Sequence, residues 1–256
     1  MDAVLLGALA GVLFGAFTVA IRWGLSRGVP VELGASVSAS VAFAVVTAVA
    51  LVTGAFADHI DARDVLVFAA IGAAVPGFSQ IIFVQAVRLA GAALIVAAGA
   101  SLSFERVRPE GFRALGALLA IACAALFAVR DTLVRWGSED ATLGPLLRTV
   151  VSLGAAALVV VAWSYLTRRS RPPAHVRGAI RPFLPAGICL GAAYLCLIVA
   201  LDRGRVTIVA PLNATQSLWG VIFAAAFLGR REAIGPRLLV AAVLVVAGGV
   251  LIGVSR

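Results

Sequence analysis

The chain has 256 residues, of which 62% are apolar and only 13% are charged, and its mean hydropathy is +1.08. A water-soluble domain of this length would not show such values, so we interpret the chain as an integral membrane protein. Its formal charge of +9 comes from arginines in loops beside apolar runs. That placement indicates orientation in a membrane and argues against binding to nucleic acid.

The apolar runs are long and continuous, which predicts helices rather than the alternating strands of a barrel. We therefore predict an all-α, polytopic fold with spans at residues 4–24, 33–56, 114–136, 146–166, 183–201, 206–228 and 238–253. The first run has no arginine before it and no cleavage signal after it, so we interpret it as a span and not as a secretory signal. Residues 65–104 carry one charge, Arg88, and are long enough for two crossings, which brings the total to about eight or nine helices.

Parts of the sequence recur in its two halves. A Leu-Phe pair followed by Arg-Trp-Gly occurs at 13–14 and 22–24 and again at 126–127 and 135–137, an offset of 113 (126 minus 13). Ala86-Val87 resembles Ala200-Leu201 at an offset of 114, but LIVAAGA at 94–100 resembles LVVAGGV at 244–250 at an offset of 150. We infer two related halves, of which the first lacks about one span. Secondary transporters have this architecture, with the solute site between the halves near the midplane.

The distribution of arginine predicts how the halves are oriented. Loops 105–113, 167–182 and 229–237 are rich in arginine and are expected on the cytoplasmic side. In the first half, the first loop is basic and the second acidic; the order is opposite in the second half, which is typical of inverted repeats. This orientation needs an odd number of crossings before residue 105, whereas two crossings within 65–104 make the number even. The count in the first half is therefore left open.

With ALDRG at 200–204 before an apolar helix pair, LGRRE at 228–232 in the last turn and the repeated start, the chain resembles EamA-type members of the drug/metabolite transporter superfamily. The resemblance implies two inverted five-helix repeats, ten spans in all, around a central cavity. We assign residues 1–104 to an incomplete first repeat, 105–113 to the loop between repeats and 114–256 to a complete second repeat. The chain departs from the family pattern in Glu232, which follows Arg230 and Arg231, and in the shortened first half.

Asp131 is the strongest candidate for a functional residue, because a charge within an apolar span is costly unless it is paired or faces water. Arg130 adjoins it, and Arg135 is placed for an i,i+4 ion pair. We interpret Asp131 as a carboxylate that binds solute or carries the coupling proton. The alternative is an ion pair near the membrane interface.

Further candidates for solute binding are amphipathic side chains within spans. Asn213, Gln216 and Trp219 follow Pro211, and Gln80 and Gln85 follow Pro76; a proline in a span frees a backbone carbonyl and can interrupt the helix. Tyr194 lies in the matching span of the second half. The alternative for all of these residues is polar packing between helices.

We therefore expect a secondary transporter that exports a small metabolite or drug-like solute across the cell membrane by alternating access. A non-transporting remnant or a helper subunit of such a transporter is the alternative suggested by the missing span. The sequence has no Walker A, HExxH or GxSxG motif, which argues against ATP-driven transport and against an enzyme. We expect no metal or other cofactor, because the three cysteines and two histidines lack ligand spacing. The expected partners are the solute and the lipid bilayer, and a homodimer is left open.

Overall fold

The structure, a computed structural model, describes the backbone of residues 2–57, 60–84, 114–168 and 176–228. Side chains are described for the same residues except 57, 114–124, 168 and 228. The expected last span at 238–253, the loops at 105–113 and 229–237 and the candidate Gln85 lie outside the described residues.

The described chain is built from helices, and no strand occurs within these ranges. The helices are α1 (Ala3–Leu25), α2 (Val31–Val52), α3 (Ala62–Gly72), α4 (Ala114–Glu139), α5 (Pro145–Arg168), α6 (Val176–Arg203), α7 (Val206–Ala214) and α8 (Gln216–Leu228). Six segments of the described chain are long and apolar enough to cross a membrane: Ala3–Leu25, Val31–Val52, Ala62–Val84, Pro145–Thr167, Val176–Arg203 and Val206–Phe227. The prediction of an all-α, polytopic membrane protein is confirmed.

Turn chemistry accounts for several helix boundaries. Gly28 has a φ of +77° and lies between α1 and α2, a position that glycine adopts without steric cost, and Pro30 directly precedes α2. The carboxylate of Asp61 accepts a hydrogen bond from the backbone N–H of Arg63 at 3.0 Å and caps α3. Helix α5 begins at Pro145, where the missing N–H has no intrahelical partner to lose.

Two prolines interrupt their spans as the sequence predicts. A π-helical turn over Ala73–Phe78 follows α3 and contains Pro76, and Val75 within it has non-helical φ and ψ of −143° and 110°. Pro211 lies in α7, which ends at Ala214, and α8 begins at Gln216. Each interruption removes backbone groups from the regular hydrogen-bond ladder in the interior of a span.

Helix α6 is the centre of the described bundle. It packs against α1, α2, α4, α5 and α7, and it contributes fully buried side chains along most of its length. Helix α1 packs against α6 and also against α7 and α8, and its glycines let the backbones approach closely. Small residues at helix interfaces are the expected solution in lipid, where apolar side chains gain little by leaving the solvent.

The directions of α1 and α4 follow from their neighbours. Ala3, at the start of α1, lies beside Gly204, directly after α6. Arg135, near the end of α4, donates from Nη1 to the carbonyls of Leu201 and Asp202 at 3.2 and 3.1 Å. The start of α1 and the end of α4 therefore lie at the same end of the bundle. These two helices match in the repeat but run in opposite directions, as inverted halves require.

We name the two ends of the bundle by their charges. The carboxylate end carries Asp61, Asp64, Glu139, Asp140 and Asp202 among its residues, and the arginine end carries Arg22, Arg27, Arg177 and Arg181. Residues 62–84 make one crossing, so this span reaches the arginine end, and α4 begins at that same end. Three crossings are thus described before residue 85; the second crossing expected within 65–104 falls on residues outside the described ranges.

Equivalent glycines make equivalent contacts in the two halves. A Cβ on Gly77 would lie 3.2 Å from the Cα of Ala156, and a Cβ on Gly191 would lie 3.3 Å from the Cα of Ala42. Both members of these pairs are related by the offset of 114 (191 minus 77, and 156 minus 42). The contact that Gly77 of the first half makes with the second half is therefore repeated by Gly191 of the second half with the first.

A second pair of contacts shows the same exchange. Gly24 of α1 lies against the ring of Phe183 of α6, and Gly137 of α4 lies against the ring of Phe68 of α3. The glycines are 113 residues apart (137 minus 24) and the phenylalanines 115 (183 minus 68). The packing is thus close to twofold for the helices that both halves have in common.

Candidate functional site

Arg130 and Asp131 form a buried ion pair on α4. Arg130 contacts the Oδ1 atom of Asp131 through Nε at 2.8 Å and through Nη2 at 2.7 Å, and the two residues are only 3% and 5% exposed. Asp131 lies about 12 Å along α4 from the helix end at Glu139, at a rise of 1.5 Å per residue. A charge at this depth is costly without a partner, and each residue supplies the other's counter-charge.

The predicted i,i+4 ion pair between Asp131 and Arg135 is wrong. Arg135 instead binds the last carbonyls of α6 and lies 3.6 Å from the carboxylate of Glu139. The C-terminal carbonyls of a helix lack intrahelical donors and carry partial negative charge, so they attract a guanidinium that can reach them. Arg130 is left as the partner of Asp131.

Three aromatic rings surround the Arg130 guanidinium. Its Cζ atom lies 5.1 Å from the ring centroid of Phe127, 5.5 Å from that of Tyr194 and 5.7 Å from that of Phe14. Rings at these distances stabilise a cation, most strongly where water is absent. Phe14 and Phe127 are repeat-related, 113 residues apart (127 minus 14), so the guanidinium lies between equivalent positions of the two halves.

Tyr194 links the ion pair to the turn that follows α3. Its side chain is completely buried, and its hydroxyl donates to the carbonyl of Val75 at 2.5 Å. Its ring is also the one that lies 5.5 Å from the Cζ atom of Arg130. Val75 lies in the non-helical turn before Pro76, where its carbonyl is available to a side chain. A buried chain of contacts therefore runs from this turn through Tyr194 to the ion pair on α4.

Gln80 lies against α2 and not beside this chain. Its Nε2 donates to Ser38 Oγ at 2.9 Å and to the carbonyl of Ala35 at 3.4 Å. Its Oε1 is buried and has no hydrogen-bond partner among the described residues. These bonds fit the alternative of polar packing between helices, and the orphaned oxygen leaves one acceptor unused.

Asn213, Gln216 and Trp219 lie around the interruption between α7 and α8. Asn213 is 3% exposed and its Oδ1 has no partner within the described chain, whereas Gln216 is half-buried. Trp219 stacks on Phe223 at 5.8 Å between ring centroids. Within the described residues none of the three hydrogen-bonds to the ion pair. The structure thus brings together Arg130, Asp131 and Tyr194 from the candidate set, while the others lie on neighbouring elements.

A second polar cluster, which the sequence did not predict, lies at the carboxylate end. Arg148 of α5 forms an ion pair with Asp202 of α6 at 2.6 Å, and Asp64 of α3 accepts hydrogen bonds from residues 142 and 143. A signal was present in the sequence, because Arg148 lies in the apolar run LLRTVVSLG and Asp202 in ALDRG. Nothing in one sequence, however, indicates that these distant residues meet.

Comparisons with known proteins agree with a polytopic fold of membrane helices. The model of the EamA-like transporter family matches residues 114–254. No curated protein matches the sequence. A solved crystal structure of a protein superposes with a TM-score of 0.66 over 98% of this chain and 95% of its own chain, at 20% identity. At that identity the likeness shows the fold alone.

Proposed function

The chain belongs to the EamA-like transporter family, and we propose that it is a secondary transporter that exports a small metabolite or drug-like solute across the cell membrane. A family of transporters also fits a protein that is not an enzyme. The proposed mechanism is alternating access, in which a solute site between two halves opens to one side of the membrane at a time.

The observation that carries the proposal is the buried chain of contacts through Val75, Tyr194, Arg130 and Asp131. Its members come from the turn after α3, from α6 and from α4, and thus from both halves of the sequence. Phe14 of α1 adds an edge-on ring contact to Tyr194 at 6.5 Å. Ionisable residues inside a membrane are costly and mark solute or proton pathways. A site between inverted halves is where secondary transporters bind their solutes.

In the proposed cycle, Asp131 is the proton carrier. A solute with a hydrogen-bond acceptor or an anionic group competes with the Asp131 carboxylate for Arg130. The released carboxylate then takes up a proton, because an unpaired charge in this environment is unfavourable. Solute release restores the ion pair and returns the proton. The Tyr194 ring stays against the guanidinium through both steps.

We further propose that the site lies between an incomplete first repeat, residues 1–104, and a complete second repeat, residues 114–256, joined by residues 105–113. The exchanged contacts of Gly77 with Ala156 and Gly191 with Ala42 support this division. Phe14 and Phe127 are matched between the halves and both contact the Arg130 guanidinium, which supports a site on the axis that relates the halves.

The test is solute uptake by purified protein in proteoliposomes, with a panel of amino acids, sugars, nucleobases and cationic drugs. We expect saturable uptake of at least one solute and a loss of roughly 10²-fold in Asp131→Asn, since efficient proton transfer contributes a factor of this size. Glu139→Gln is the matched control, because Glu139 is on the same helix but its side chain is 57% exposed. No uptake of any solute by folded protein, or equal uptake by both variants, would contradict the proposal and favour a non-transporting subunit.

A further inference from the structure

The polar cluster at the carboxylate end fixes the connection between α4 and α5 from both sides. Arg148 donates from Nε to the carbonyl of Leu143 at 2.5 Å and from Nη2 to the carbonyl of Ala141 at 3.4 Å. The Oδ2 atom of Asp64 accepts from the backbone N–H of Thr142 at 2.8 Å and of Leu143 at 3.0 Å. Arginine thus binds the carbonyls of this connection, and aspartate binds its N–H groups.

The cluster also joins three helices that belong to different parts of the bundle. Asp64 lies in the first turn of α3, Arg148 is the fourth residue of α5, and Asp202 lies in the last turn of α6. Arg148 is 4% exposed, and its Cζ lies 5.5 Å from the ring centroid of Phe68 on α3. A charged hydrogen bond of 2.6 Å to Asp202 in such surroundings is a strong contact. We name Asp64, residues 141–143, Arg148 and Asp202 the latch.

The opposite end differs from the latch at matched positions. The residue equivalent to Arg148 is Gly34 (148 minus 114, the offset that relates Ala156 to Ala42), which has no charge. In the connection between α1 and α2, the backbone N–H groups of Ser26, Arg27 and Gly28 donate to carbonyls of the last turn of α1 itself. A Cβ on Gly28 would meet no atom within 4 Å. The glycine contacts are thus exchanged between the halves, whereas among the described residues Gly34 does not repeat the contacts that Arg148 makes with its connection.

Directly beneath the latch, α3 and α5 are in close contact. Ser152 lies one turn after Arg148, is fully buried and donates from Oγ to the carbonyl of Phe68 at 3.0 Å. The backbone of Ser152 also leaves no room for a side chain at Gly72. Any opening at the carboxylate end that separates α3 from α5 must therefore break the latch first and expose Ser152 next.

We propose that the latch is the gate that closes the carboxylate end of the solute pathway, an inference that rests on the proposed transport function. A carrier must open each end in turn, and the latch joins α3, α5 and α6, which must separate for the carboxylate end to open. Weakening them shifts the population toward the state that is open at the carboxylate end and closed at the arginine end. The latch is thus part of the conformational cycle as well as of the folded structure.

Cysteine labelling in nanodiscs tests the gate without any solute. The reporters are Ser152→Cys, beneath the latch, and Ser38→Cys, the matched position in the first half (152 minus 114), each in a protein whose native cysteines are replaced by alanine. Both serines are fully buried. The probe is a membrane-impermeant maleimide, the gate variant is Asp202→Asn, and the control is Glu139→Gln at the same end of the bundle.

We expect Asp202→Asn to speed labelling of the Ser152→Cys reporter by roughly tenfold and to slow labelling of the Ser38→Cys reporter, while Glu139→Gln changes neither rate. Equal rates with and without Asp202→Asn would overturn the gate. So would a rise at both reporters, since that indicates general loosening. The double variant Arg148→Gln/Asp202→Asn avoids leaving Arg148 as a buried unpaired charge, and it must give the same opposite changes in protein shown to be folded.

The gate and the transport function can fail separately. Opposite changes in labelling support the gate even when no solute of the panel is transported, because the labelling rates report only the conformational equilibrium. Saturable transport together with unchanged labelling supports the transport function and rejects this gate.

Discussion

At the scale of single residues, Tyr194 of α6 is in contact both with the turn after α3 and with the ion pair on α4. Its hydroxyl satisfies the carbonyl of Val75, and its ring lies 5.5 Å from the Cζ atom of Arg130. A buried carbonyl that loses its donor costs more than the bond itself contributed, because the carbonyl is not rehydrated. Removal of the Tyr194 hydroxyl would therefore destabilise the fold mainly by leaving the carbonyl of Val75 without a donor.

Tyr194→Phe keeps the ring and removes only the hydroxyl. We expect it to lower the free energy of unfolding by about 1–3 kcal/mol and to reduce transport. The measurement is denaturant unfolding in detergent. Tyr165→Phe is the matched control, because Tyr165 is 69% exposed and should change stability by less than about 0.5 kcal/mol. Equal effects of the two substitutions would show that the hydroxyl of Tyr194 does not stabilise the fold.

The ion pair of Arg130 and Asp131 is open to a double-mutant cycle. Asp131→Asn removes the carboxylate that pairs with the buried Arg130 guanidinium and should cost about 3–5 kcal/mol of stability. Arg130→Gln/Asp131→Asn should cost less than the sum of the two single variants, with a coupling of roughly 0.5–3 kcal/mol. The same cycle for the exposed pair of Arg135 and Glu139 should give about 0–1 kcal/mol. Additive effects at the buried pair would contradict a direct interaction.

The need for a partner of Asp131 could be predicted from the sequence, but the choice of partner could not. Spacing favours Arg135, which lies four residues on along the same face. The structure shows Arg135 at the carbonyls of Leu201 and Asp202. These acceptors come from a helix more than sixty residues away in the chain, so local spacing contains no information about them.

At the scale of helices, three glycines of α1 allow close contact with α7 and α8. Gly7, Gly11 and Gly15 are four residues apart and face Leu212, Thr215 and Trp219, respectively. A Cβ on Gly11 would lie 2.5 Å from Thr215 Oγ1 and 2.8 Å from the carbonyl oxygen of Leu212. The interruption between α7 and α8 is thus held directly against α1.

Gly11→Ala should therefore destabilise the protein although alanine is the better helix former. We expect a loss of about 1–3 kcal/mol from overpacking, measured by thermal unfolding in detergent. Gly178→Ala is the same substitution in α6 at a position where a Cβ meets no atom within 4 Å, and it should gain about 0.4–1 kcal/mol. A stabilising effect of Gly11→Ala would show that α1 and α7 are not in close contact.

The lengths of the apolar runs predicted the first and last residues of most helices to within a few residues. The first span was expected at 4–24 and is Ala3–Leu25. The second was expected to continue to residue 56 but ends at Val52, because Gly54 adopts a φ of +73° that stops the helix. Apolar residues continue past that point, so hydropathy alone gives no signal for the stop.

At the scale of the whole molecule, net charge gives the described bundle a direction. Arg22, Arg27, Arg177 and Arg181 outnumber Glu32 at one end, where the cytoplasmic side is expected. At the other end the described carboxylates exceed the arginines by one; they are Asp2, Asp61, Asp64, Glu139, Asp140 and Asp202 against Arg63, Arg135, Arg148, Arg203 and Arg205. The repeat and the inverted orientation could be anticipated from matched motifs and charge bias. The latch could not, because Asp64 and Leu143 are 79 residues apart and only the folded bundle brings them together.

This orientation can be tested in intact cells with single cysteines in a protein that lacks the native ones. Asp140→Cys at the carboxylate end should react with an impermeant maleimide added outside, whereas Ser26→Cys at the arginine end should react only after permeabilisation. Both positions are exposed, so accessibility differs only through the side of the membrane. The reverse pattern would place the N-terminus of α1 in the cytoplasm.

The most direct test of transport by alternating access is counterflow in proteoliposomes. Vesicles are loaded with an excess of unlabelled solute, and the entry of a trace of labelled solute is followed over time. A carrier whose site between the halves faces one side at a time should give a transient accumulation above equilibrium, absent in Asp131→Asn and retained in Glu139→Gln. Entry that rises to equilibrium without an overshoot, from protein that is folded, would contradict the account.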